Sequence, residues 1–253
     1  MNTQFQQEFQ HKWENYFPGV ELPVAYSYTD DVSAEEFADS QDEEHCVIAS
    51  FQRVRQGHTY VYGADSPGCK GWKRYTGFSQ SLRPKFEFFL SCGIPGEVEG
   101  ERYKKSPDLV NGYLKSHPAF QAPGRFLVFK RWDKLVGNDR PFAVIFFASA
   151  DVLSGLFALA NYDRSDPNGV ISPMGSGCST IVNYPYWEAQ SDQPRCVLGM
   201  FDVTARPQVP ASLLTFTIPA TRFEQMVANM DESFLITEAW GHMRARIQQA
   251  SQS

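Results

Sequence analysis

Two short stretches carry the residues best suited to chemistry. Gly68-Cys69-x-Gly71 and Gly175-Ser176-Gly177-Cys178 each place a cysteine directly after a glycine. Glycine has no Cβ, so backbone or ligand can come close to the neighbouring thiol. Successive N–H groups in such loops can also form an anion-binding nest. A thiolate is a nucleophile and a ligand for soft metals. Cys46, near the small residues Ala49 and Ser50, offers a third. The expected metal ligands are therefore Cys46, Cys69 and Cys178, holding a thiolate-bound metal or an iron–sulfur cluster. The expected ligand-binding residues are Gly68, Gly71, Gly175, Ser176, Gly177 and Arg206, with Arg206 supplying a cation for a small anion. The alternative is plain packing, because cysteine is among the most buried residue types.

Other groups say less. Cys92 and Cys196 sit in apolar, strand-like runs and are expected in the core. Of five dispersed histidines only His45 adjoins a thiol, and adjacent helical residues point about 100° apart. No Walker loop, dinucleotide-binding glycine fingerprint, HExxH or GxSxG is present, so no catalytic residue and no enzyme class is assigned.

The elements that must position these loops follow from periodicity and turn chemistry. Phe5, Phe9, Trp13 and Phe17 recur every four residues and predict an N-terminal helix. Residues 23–28 read as a strand, 45–56 as a helix ending at Gly57, and 59–62 as a strand leading to the first glycine–cysteine loop. An apolar segment at 86–90, a helix at 107–115 and a strand at 125–131 complete this half. The second half repeats the plan: strand 141–147, helix 152–162 capped by Ser149 or Asp151, strand 170–171 and the second loop. A short helix at 178–184, strands at 196–203 and 213–218 and a helix at 221–230 follow. The acidic stretch 30–44 holds two capping boxes, Ser33-x-x-Glu36 and Ser40-x-x-Glu43, and reads as helix starts rather than a cation site.

A shift of 109 residues lays Ala49 on Ala158, Val61 on Val170, Gly68 on Gly177, Cys69 on Cys178 and Tyr75 on Tyr184. The fold class expected is α+β, built as two tandem pseudo-repeats of a βαβ-like unit about a pseudo-twofold axis. The divisions are an N-terminal helix at 1–22, repeats at 23–136 and 137–235, and a C-terminal helix and tail at 236–253. Such an axis can bring the two loops face to face.

Composition sets the outer limits. The chain has 253 residues, 42% of them hydrophobic, enough for a substantial core. Its net charge is −6 and no basic cluster stands out, which argues against nucleic acid. No apolar run approaches the roughly 18–20 residues of a membrane span, and the first residues lack a signal-peptide pattern. Five widely spaced cysteines do not suit a secreted disulfide framework. A cytoplasmic protein that binds a metal or small molecule is the expectation; homo-oligomerisation stays open.

The ordered set Cys46, Gly68-Cys69-x-Gly71-x-x-x-Tyr75-x-Gly77-Phe78 and Gly175-Ser-Gly-Cys178-Ser-Thr-Ile-Val resembles the uncharacterised prokaryotic ArCR family. Glu101-Arg102-Tyr103-Lys104, Tyr184-Pro185 and Phe201-Asp202-x-x-x-Arg206-Pro207 extend the likeness over about residues 23–235. Trp72 departs from it, standing where members commonly carry a further glycine. The resemblance implies a shared site at the glycine–cysteine loops and brings no established reaction.

Overall fold

A computed structural model describes residues 2–39 and 46–251. The aromatic stripe forms α1 (Thr3–Tyr16), whose Asn2 cap accepts a hydrogen bond from the Gln4 amide. Chain order then runs β1 (Val24–Thr29), α2 (Ala34–Asp39), α3 (Val47–Arg55), β2 (Tyr60–Gly63), α4 (Lys70–Tyr75), α5 (Phe86–Phe89), α6 (Pro107–Ser116) and β3 (Phe126–Arg131). The second half holds β4 (Ala143–Ala148), α7 (Ala150–Leu159), β5 (Val170–Ile171), a π-helical turn (Ser179–Asn183), α8 (Tyr184–Glu188), β6 (Cys196–Gly199), β7 (Leu214–Pro219), α9 (Ala220–Asn229) and α10 (Glu238–Ala250). The fold is α+β.

Among the described residues, seven strands make one sheet in the order β2-β3-β1-β4-β7-β6-β5. All neighbours are antiparallel except β5 and β6. Alternate residues of each strand face opposite sides, so two cores form. One packs α1, α7, α9 and α10 through Phe9, Trp13, Leu156, Phe223 and Trp240. The other packs α3, α4 and the π-helical turn through Ile48, Phe51, Trp72, Cys178 and Ile181.

The orders β1-β3-β2 and β4-β7-β6 mirror each other across the β1–β4 seam. The helices do not follow: the buried residues of α3 belong to one face and those of α7 to the other. The strands do not follow the 109-residue shift either: it lays Val61 of β2 on Val170 of β5, but β2 pairs antiparallel with β3 whereas β5 pairs parallel with β6, so two pseudo-repeats about a twofold axis are not seen.

Two local expectations change. Segment 86–90 is helical, because Pro84 and the left-handed Lys85 (φ 59°) end any extended run before it. The chain then doubles back, with Glu101 N–H donating to Phe89 O (2.7 Å) and Arg102 N–H to Ser91 O (3.0 Å). A Cβ on Gly100 would lie 2.4 Å from Gly93 N, so the two passes touch backbone to backbone. Cys92 is consequently exposed, a correction to its expected core position, whereas Cys196 is fully buried as expected. The strand expected over 196–203 stops at Gly199, since Met200 takes a positive φ of 72°.

The first capping box forms: Ser33 Oγ accepts from Glu36 N–H (3.2 Å) and Glu36 Oε2 from Ser33 N–H (2.9 Å). Glu36 also pairs with the buried Lys130, which a second carboxylate, Asp139, holds at 2.9 Å. The second box, Ser40 and Glu43, lies outside the described residues.

Candidate functional site

The two glycine–cysteine turns meet. Cys69 is the N-cap of α4, its Sγ accepting a hydrogen bond from Trp72 N–H at 3.3 Å. Cys178 directly precedes the π-helical turn, against which α4 packs. Such π-turns occur often at functional sites. Here one is favoured by Pro185, which has no N–H to continue a regular ladder, and by Thr180, whose hydroxyl donates to Gly177 O (3.0 Å).

Residues of both turns line one cavity of about 710 Å³. Cys69, Lys70 and Gly71 contribute from the first, and Met174, Gly175 and Ser176 from the second. Asp202 and Thr204 join them, and so do three phenols, Tyr75, Tyr103 and Tyr113. The apolar part comes from Leu82, Pro84, Phe86, Phe89 and Leu90. A larger hollow of about 1110 Å³ opens between residues 60–67 and 121–126 but has no thiol in its lining. The chemistry-bearing side chains gather at the smaller cavity, which is therefore the candidate site.

Asp202 ties the second turn in place. Its carboxylate accepts from Gly177 N–H (3.1 Å), Thr204 N–H (2.9 Å) and the Tyr103 hydroxyl (3.3 Å). Gly177 has its own steric reason: a Cβ there would sit 3.0 Å from the Ala205 Cβ and 3.2 Å from Ile48, two residues after Cys46. At Gly68 (φ 149°) a Cβ would meet the Tyr62 hydroxyl at 2.7 Å. Gly71 is different, with only ordinary contacts at 3.8 Å.

The sulfurs sense one another. Burial pushes the Cys178 thiol well above its usual pKa, and negative charge at Cys69, Cys46 and Asp202 pushes it the same way. Tyr62 is raised first by burial and then by charge on Tyr60, Cys69 and Cys178. The Tyr62 hydroxyl is fully buried and has no hydrogen-bond partner among the described residues. It is thus an unused donor beside the thiols. On the opposite rim, Tyr113 stacks on His117 at 5.3 Å, the His117 ring meets Tyr184 edge-on at 4.3 Å, and Tyr184 donates to Met174 O at 2.7 Å. That chain fixes α6 against the second turn.

Of the residues singled out from the sequence, Cys69, Gly71, Gly175 and Ser176 line the cavity. Gly68, Gly177 and Cys178 lie directly behind them, and Cys46 stands at the start of α3, half-buried. Arg206 does not reach the site. Its guanidinium donates to the carbonyls of Val209, Pro210 and Ala211 (3.3, 3.2 and 2.6 Å) and borders a separate depression. Among the described residues, no three of His, Cys, Asp and Glu are gathered closely enough to hold a metal ion. No helix among them is long and apolar enough to cross a membrane.

The sequence reading missed the apolar wall of residues 82–90, Tyr113 and the orphaned Tyr62. The signals were a largely apolar Phe-Glu-Phe-Phe-Leu run shortly after Pro84, and a tyrosine four residues before the Ser66-Pro-Gly-Cys turn. No curated protein and no solved structure matches the chain. One family does, the uncharacterised ArCR family, over residues 20–229. Its match covers most of the sequence and both glycine–cysteine turns, and the chain belongs to the ArCR family.

Proposed function

We propose that the protein binds a small amphipathic molecule, with an apolar or aromatic body and an anionic end, in the cavity between its two glycine–cysteine turns. The observation that supports this is the divided lining. Residues 82–90 supply an apolar surface, whereas the turns supply Cys69 and Ser176, with Asp202 and Thr204 next to them and the cations Lys70 and Arg83 and the carboxylate Glu101 alongside. About 710 Å³ falls within the range of small-molecule sites, which pair apolar walls with a few placed polar groups. Arg83 lies 4.0 Å over the Phe89 ring, so its charge is held at the apolar side instead of trailing into solvent.

The test is thermal unfolding with naphthoate, decanoate and succinate. Binding to the folded state raises the melting temperature by mass action. The two carboxylates with apolar bodies should raise it and succinate should not. Equal responses to all three, or none, would refute the reading.

A soft metal is the second reading, favoured by the mutual influence of Cys46, Cys69 and Cys178. In their present arrangement these residues do not fit a preformed metal site. Bound metal per chain after anaerobic purification separates the two readings.

A further inference from the structure

We infer that Cys69 and Cys178 form a reversible dithiol–disulfide couple, in which Cys69 meets a low-molecular-weight disulfide in the cavity and Cys178 resolves the resulting mixed disulfide. The inference goes beyond ligand binding and rests only on Cys69 being part of the cavity wall.

Three observations carry it. First, the cysteines differ in access: Cys69 is exposed at the cavity and Cys178 is 8% exposed behind it. Second, their elements are packed together, and each thiol follows a glycine whose missing Cβ admits a close neighbour: Tyr62 Oη at Gly68, Ile48 and Ala205 at Gly177. Third, the Tyr62 hydroxyl, buried and unpartnered, lies under Gly68 within the field of both sulfurs. A donor in that position suits a sulfur that carries negative charge for part of a cycle, and an unpaired buried donor is otherwise a standing cost to the fold.

The electrons balance with the small disulfide as oxidant. The Cys69 thiolate attacks one of its sulfurs; a bond to Cys69 forms, the small molecule's S–S bond breaks, and one thiolate leaves with the electron pair. Cys178 then loses its proton to that thiolate and attacks the Cys69 sulfur, expelling the second small thiolate, which takes a proton from water. The protein has lost two electrons and two protons, and the oxidant has become two thiols.

Access gives the order. Cys69 faces the cavity and Cys178 is 8% exposed behind it, so a small disulfide meets Cys69 first and Cys178 is the second to react. Cys196 is fully buried with Met226 beside its sulfur (3.7 Å) and lines no part of the cavity.

The test is oxidised glutathione added to the whole protein, an acid quench, alkylation and peptide mapping by mass spectrometry. The expected map joins the Cys69 and Cys178 peptides, leaves exposed Cys92 as a mixed disulfide only, and leaves Cys196 unmodified. Cys178→Ala should stop at the Cys69 mixed disulfide, and Cys69→Ala should leave Cys178 unoxidised. If either variant fails to fold, the wild-type map decides alone. A bridge from Cys69 to Cys46, a mixed disulfide persisting on Cys69 as on Cys92, or an unreactive Cys69 would overturn the inference. Naphthoate binding does not enter this readout, so the ligand reading can fail while the couple stands.

Discussion

The two faces of the sheet handle their buried polar groups in opposite ways. On the face of α1, α7, α9 and α10, each tryptophan indole donates to a backbone carbonyl: Trp13 to Glu21 (3.2 Å), Trp132 to Gln6 (3.2 Å) and Trp240 to Tyr16 (3.1 Å). Arg222, 2% exposed, is clamped there by Asp163 at 2.5 and 2.8 Å, although its Nε has no partner. On the face of α3, α4 and the π-turn, the Trp72 indole and the hydroxyls of Tyr26, Tyr62, Ser50, Thr215 and Thr217 are buried without partners among the described residues. An unsatisfied buried group costs about 1–3 kcal/mol, so several on one face are hard to reconcile with a purely structural role. One face is built to hold the chain together, and the other tolerates unpaired groups, of which Tyr62 lies under Gly68 and Trp72 is the residue whose amide meets Cys69.

The comparison breaks most visibly if the first face is not structural. Trp240 is 5% exposed and packs against Gly155, where an added Cβ would lie 2.4 Å from its ring. Trp240→Ala should cost about 3–5 kcal/mol in urea unfolding, through lost packing and an orphaned Tyr16 carbonyl. A loss under about 1 kcal/mol would place the structural core elsewhere.

Arg222 gives a pH signature. Its guanidinium holds the Asp163 carboxyl down at about 2, from an ordinary 3.8. A depressed folded-state pKa contributes stability that is complete above the unfolded value and is lost as pH falls through the folded one. That contribution should therefore fade between about pH 4 and pH 2. Arg222→Met should unfold more readily at pH 7 and lack that part of the acid dependence. An unchanged profile would show that the pair is not formed in solution.

The second face should behave differently. Tyr62→Phe removes a hydroxyl that bonds nothing, so it should leave stability unchanged or raise it by about 1 kcal/mol. A loss of about 2 kcal/mol or more would mean that the hydroxyl is satisfied, and the contrast between the faces would fall. A comparably small effect belongs to the α2 cap. Ser33→Ala should cost about 1 kcal/mol, read by hydrogen exchange at the Glu36 amide, because that N–H loses its acceptor.

Much of this was legible in the sequence because it was local. The four-residue aromatic spacing gives α1, the helix expected at 107–115 is α6, and glycine before cysteine marks both turns of the site. The 109-residue shift brought Gly68-Cys69 and Gly177-Cys178 into register, and both flank one cavity. What could not be read depends on long-range packing. That α3 and α7 cover opposite faces is invisible to a repeat in sequence. Residues 86–90 look like a strand until Gly93 and Gly100 fold the following loop back onto them. Arg206 looked available as a cation because nothing local announces that three carbonyls of its own loop occupy it.

The cavity itself can be tested without knowing the natural ligand. Gly71 sits in α4 with no positive φ and only 3.8 Å neighbours, so Gly71→Leu fills space in the cavity while leaving the backbone unstrained and improving helix propensity. Fluorescence titration with anilinonaphthalene sulfonate, an aromatic anion, then compares this variant with the wild type at matched circular dichroism. The expected result is saturable binding to the wild type, weakened at least about tenfold, or about 1.4 kcal/mol, by the plug. Equal binding by both proteins would show that the space between Gly71 and Gly175 is not where an amphipathic anion goes.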